Sequence, residues 1–129
     1  MSRPLNPSTI RAPFARYSHA VEVPPGMRLV FCSGQLGISP NEQVPATVEG
    51  QTERCFENIR TILAEAGLGL SDIVRINTYL TRREDMAGYM AVRDRMVADP
   101  PPASTLMIVS GFTRPDFLVE VEVVAAGSP

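Results

Sequence analysis

The run Val119-Glu120-Val121-Glu122-Val123 sets two carboxylates two residues apart among valines. In a β-strand the period of two puts Glu120 and Glu122 on one face and the valines on the other. Carboxylates so placed can orient and partly deprotonate a water, or can simply stand on a solvated or ion-paired face; the pattern serves both. His19, the one histidine, is another acid–base group, although a lone histidine beside a strand start serves equally well as a structural or solvated residue. Arg93 lies three residues after Met90 and four before Val97, on the apolar stripe of an expected helix. A guanidinium there must snorkel to an edge or meet a partner, because an unpaired buried charge is costly. The partners considered are a ligand carboxylate, Glu120, Glu122 or an acid of a second copy. The stretch Asp99-Pro100-Pro101-Pro102-Ala103-Ser104-Thr105 ends a helix with prolines and leads through three small residues into an apolar run. No spacing of Cys, His and acidic residues suits a metal.

The elements that must position these groups are legible in outline. The chain has 129 residues, 44% of them hydrophobic and 20% charged, which suits one folded domain over residues 1–129. The net charge of −2 gives no electrostatic reason to expect nucleic-acid binding. Cys32 and Cys55 cannot form a disulfide framework and read as buried free thiols. With no apolar leader and no long hydrophobic run, neither a signal peptide nor a membrane span is expected, and a cytoplasmic location is the default.

Residues 1–14 read as an irregular, proline-rich arm. Residues 20–23 and 28–33 read as strands joined in a hairpin by Pro24-Pro25-Gly26, with a loop over 39–47. Cys55, Phe56, Ile59, Ile62, Leu63 and Ala66 form a helical stripe closed by Gly67 as a cap. Residues 73–80 alternate as a strand, with Val74, Ile76, Thr78 and Leu80 on one face. A second helix is expected over 83–98, its stripe formed by Met86, Tyr89, Met90 and Val97. Strands follow over 105–109 and 117–125. The order β-β-α-β-α-β-β implies an α+β architecture, with both helices on one face of a mixed sheet. The other face still carries apolar residues, so burial against further copies of the chain is expected.

Several quoted stretches together resemble the RidA/YjgF family of reactive-intermediate deaminases. They are Tyr17-Ser18 with Ala20-Val21, Ser33-Gly34-Gln35, Gln51 with Asn58-Ile59, Ala66-Gly67, Asp72-Ile73-Val74 and Val119-Glu120-Val121-Glu122. The resemblance runs in order from Tyr17 to Ala125. It implies a chorismate-mutase-like fold, a homotrimer with inward-facing sheets and small-molecule clefts between subunits. It also implies cofactor-free hydrolysis of amino-acid-derived enamines or imines to 2-oxo acids and ammonia. Glu120 aligns with the family's water-positioning glutamate, Tyr17 with a cleft-lining tyrosine, and Ser33 and Gly34 with its cleft loop; His19 replaces a common glutamine.

One departure bears on the chemistry. Deaminase members begin the strand after the second helix with Pro-Ala-Arg-Ser-Thr/Cys, and that arginine binds the substrate carboxylate. Here Ala103 stands at the arginine position if Ser104 and Thr105 keep the register, or a one-residue shift pairs Pro102-Ala103 with Pro-Ala and deletes the arginine; neither alignment restores it, and Met90 replaces the family's asparagine. Weak or no activity on simple 2-imino acids is therefore expected. Arg93 is the first candidate for a replacement charge; Arg16, read as solvated, is the second. The expected site comprises Glu120 as the catalytic group and Tyr17, Ser33, Gly34, Arg93, Ala103, Ser104 and Thr105 as ligand-binding residues, with His19 and Met90 as further candidates. The alternative is a non-catalytic ligand-binding or regulatory trimer.

Overall fold

The computed structural model describes residues 1–129. In chain order the elements are β1 Arg3–Leu5, β2 Ala20–Glu22, β3 Arg28–Leu36, α1 Val48–Ala64, β4 Ile73–Leu80, α2 Met86–Met96, β5 Ala103–Ile108 and β6 Val119–Gly127. The expected β-β-α-β-α-β-β series is present, with β1 as one further strand ahead of it. The main sheet has the order β3-β6-β4-β5; β6 is antiparallel to both neighbours, and β4 is parallel to β5. Parallel strands need a crossover. Between β4 and β5 it is α2, and α1 carries the chain from β3 past β6 to β4. Both helices lie on one face, α1 on β3 and β6 and α2 against α1. No helix is long and apolar enough to cross a membrane.

The stripe of α1 buries Cys55, Phe56, Ile59 and Leu63 against Ile76 and Leu80 of β4 and Val119 and Val121 of β6. Gly67 takes φ +72°, and the bonds Gly67 N–H to Ala64 O (3.0 Å) and Leu68 N–H to Leu63 O (2.9 Å) close the helix. Buried Gln51 fastens α1 to the start of β6. Its Nε2 donates to Pro45 O (2.9 Å) and Asp116 O (2.8 Å), and its Oε1 accepts from Leu118 N–H (2.9 Å). Both cysteines are buried free thiols, and burial pushes the Cys55 thiol up to about 12.

Four local expectations are corrected. The arm is not irregular throughout, because residues 3–5 form β1. The hairpin across Pro24-Pro25-Gly26 is absent: β2 pairs antiparallel with β1, Arg3 opposite Glu22, and Arg3 Nη2 meets Glu22 Oε1 at 2.9 Å. The second helix starts with a 3-10 turn, Arg83–Asp85, and its α-helical part stops at Met96 because Val97 is extended ahead of the prolines. Its buried face is Tyr89, Val92 and Arg93, while Met86 is 38% exposed. The last two strands begin or end two residues from the expected bounds at Ala103–Ile108 and Val119–Gly127.

Candidate functional site

Alternation along β6 sends Val119, Val121 and Val123 into the core, and Glu120 and Glu122 to the face without helices. Registers place side chains from the other strands beside them. On β4, Tyr79 is opposite Glu120, Asn77 opposite Glu122 and Arg75 opposite Val124. On β5, Ala103 is opposite Arg75 and Thr105 opposite Asn77. On β3 the pairing shifts between Cys32 and Gln35, so Ser33 and Gly34 form an irregularity at the level of the two glutamates.

Gly34 lets the Glu120 side chain approach closely. A Cβ built there would stand 2.5 Å from Glu120 Oε2, so the Glu120 carboxylate lies directly over the Gly34 backbone. The two glutamates differ in their partners. Glu122 Oε1 accepts from Asn77 Nδ2 (3.1 Å) and from the Tyr79 hydroxyl (2.8 Å). Glu120 has no protein donor; partial burial, with a smaller contribution from the Glu122 charge, raises its pKa above the ordinary carboxylate value. A carboxylate with free lone pairs and raised basicity can hold a water and accept its proton.

Sequence reasoning missed Arg75. Its side chain is exposed on the same face, and Nη2 donates to Thr105 Oγ1 at 3.0 Å. A signal was available: if Ile76, Thr78 and Leu80 turn inward, Arg75, Asn77 and Tyr79 must turn outward.

The structure divides the expected site residues. Glu120, Ser33, Gly34, Ala103 and Thr105 share the open face. Ser104 lies in register with core-facing Ile76, on the opposite side of β5. The Tyr17-Ser18-His19 segment runs beside the start of β5 through a Ser18–Ala103 bridge and a bond from Ser18 N–H to Pro102 O (2.9 Å). There the Tyr17 hydroxyl accepts from Phe14 N–H at 3.3 Å. His19 Nε2 meets Arg11 O at 2.6 Å, and its backbone N–H donates to Asn6 Oδ1 at 2.8 Å. Met90 packs against the core cluster.

Arg93 is 3% exposed. It does meet a partner, but that partner is Asp94, whose Oδ1 accepts from Arg93 Nη2 at 3.0 Å. Arg93 is thus in the helix layer and is not brought to Glu120. Arg16 is not solvated as expected. Its guanidinium donates to Val97 O (3.2 Å) and Ala98 O (3.0 Å), holding the chain just after α2. A separate cavity of about 500 Å³ lies between the N-terminal arm and residues 98–102. Its acidic lining is already engaged: Asp72 accepts from Gly69 N–H, and Asp99 lies 4.0 Å from Arg16.

Comparison with known proteins gives concordant matches. The family model described as endoribonuclease L-PSP matches residues 9–127. A RutC family protein of Pyrococcus abyssi is 35% identical over 115 residues, covering 88% of this chain and 87% of that protein. The 2-iminobutanoate/2-iminopropanoate deaminase of Dermatophagoides farinae is 27% identical over 124 residues, covering 95% and 91% respectively. The crystal structure of YyfB, a conserved Rid-family protein of unknown function from Yersinia pestis, superposes with a TM-score of 0.81. Its identity to this chain is 25%, and the match covers 96% of this chain and 97% of that one.

Proposed function

The chain belongs to the RidA/YjgF family and has its chorismate-mutase-like α+β fold, and on that premise we propose that it is a divergent enamine/imine deaminase or related hydrolase. Its sites are small-molecule clefts between the subunits of a homotrimer. The observation that carries this reading is the Glu120 carboxylate. It lies over the Gly34 backbone, lacks a protein donor and is more basic than an ordinary glutamate.

In the proposed reaction a water held by Glu120 gives it a proton as the water oxygen bonds to the imine carbon. Attack on the protonated imine leaves a neutral carbinolamine; Glu120 returns the proton to its nitrogen, the C–N bond breaks as the hydroxyl gives its own proton to Glu120, and a carbonyl compound and ammonia leave. The assembly is supported by apolar side chains on the helix-free face. Leu29 is 50% exposed and Phe31 74% on β3, and Met107 is 54% exposed on β5. A cytoplasmic location and the absence of a nucleic-acid partner belong to the same proposal. Two carboxylates and one guanidinium on this face do not favour a phosphate backbone.

Replacement of the family's arginine and asparagine by Ala103 and Met90 supports the expectation of weak or no activity on simple 2-imino acids. The same replacements favour a second reading, a non-catalytic ligand-binding trimer. Glu120→Gln separates the two readings. An enzyme loses turnover of freshly generated imines and keeps ligand binding; a binding protein shows no imine turnover above the uncatalysed rate in either form.

A further inference from the structure

The strand register places an arginine beside the position where the family arginine is missing. Ala103 begins β5, and its in-register neighbour on parallel β4 is Arg75. Both side chains project to the face that carries Glu120. Parallel strands are about 4.8 Å apart, so the long side chain of Arg75 can reach the space over the Ala103 methyl group. It is drawn across to β5: Arg75 Nη2 donates to Thr105 Oγ1, two residues along the strand from Ala103.

The neighbouring acids do not neutralise this guanidinium. Glu122, the nearer carboxylate by register, turns its Oε1 to Asn77 and Tyr79, and Arg75 forms no salt bridge while seven other arginines do. Of the five N–H donors of a guanidinium, one is occupied by a neutral hydroxyl, leaving a pair free for a planar carboxylate. No other basic side chain projects from this face of the main sheet.

We propose that Arg75 supplies, from β4, the ligand-carboxylate contact for which β5 offers only Ala103, with Thr105 holding the guanidinium on the β5 side. The inference rests on the reading of this face as a small-molecule site and names its ligand class: small organic acids bound through the carboxylate.

The test is calorimetric titration of the full chain with 2-oxobutanoate and, separately, with its neutral amide. The wild type should prefer the acid at least about tenfold. Arg75→Gln should lose that preference with its melting temperature unchanged and its affinity for the amide within twofold. The double variant Arg75→Gln/Ala103→Arg should regain it. Retained acid preference in Arg75→Gln overturns the inference, as does a wild type that does not prefer the acid. Imine turnover that Glu120→Gln abolishes, combined with acid preference that Arg75→Gln keeps, removes Arg75 and leaves the enzyme reading standing. A wild type that binds neither probe and turns over no imine removes both.

Discussion

Glu120 and Glu122 are chemically alike and differ by neighbourhood. Asn77 and Tyr79 occupy Glu122, whereas Glu120 is partly desolvated without a compensating donor. The raised pKa of Glu120 has a stability consequence of definite sign. The folded state holds this proton more tightly than the unfolded state, so the ionised group weighs against folding above its folded pKa. Falling pH relieves that burden. Glu120→Gln should therefore melt higher than the wild type at pH 7. The advantage should shrink as pH falls through the raised pKa and be smallest near pH 4. Thermal melts at the two pH values check this, and a Gln variant less stable at pH 7 contradicts it. Arg93 illustrates what a stripe position can and cannot reveal. That it must snorkel to an edge or meet a partner was legible. Its partner was not, because adjacent helix residues do not ordinarily face each other, yet Asp94 is the acid it meets.

At the scale of elements, periodic segments were read best. Strand β4 has the expected span, and Gly67 closes α1 as its place after the stripe implied. The pairing of β2 was misread because Pro24-Pro25-Gly26 has hairpin chemistry, while three-residue β1 carries a proline and no period. Strand registers are long-range, so the juxtaposition of Arg75 with Ala103 was invisible to any local pattern, and only Ala103 was in view. Gln51 was noticed only through resemblance; its role is to join α1 to both sides of the turn into β6. Gln51→Leu should leave the Leu118 N–H without its partner and cost about 1–3 kcal/mol. Chemical denaturation reads this as a lower midpoint with an unchanged slope, and a loss under about 0.5 kcal/mol contradicts the role.

For the whole molecule, one layer of helices leaves half the sheet surface uncovered, and β3 presents Phe31 and Leu29 on that side. The proposed burial of this face among copies would account for apolar side chains beside a polar cluster and would remove water from around Glu120. Phe31→Glu should lower the assembly order in light scattering while circular dichroism keeps the α+β signature. An unchanged mass would place the interface elsewhere. The central claim is that Glu120 works on a water at this face. The most direct measurement is the steady-state rate of imine hydrolysis, using imines freshly generated from both amino acids and neutral amines, for wild type and Glu120→Gln. The account predicts a wild-type rate above the uncatalysed one for at least one imine, falling by about a hundredfold or more in the variant. Equal rates for the two proteins would contradict it.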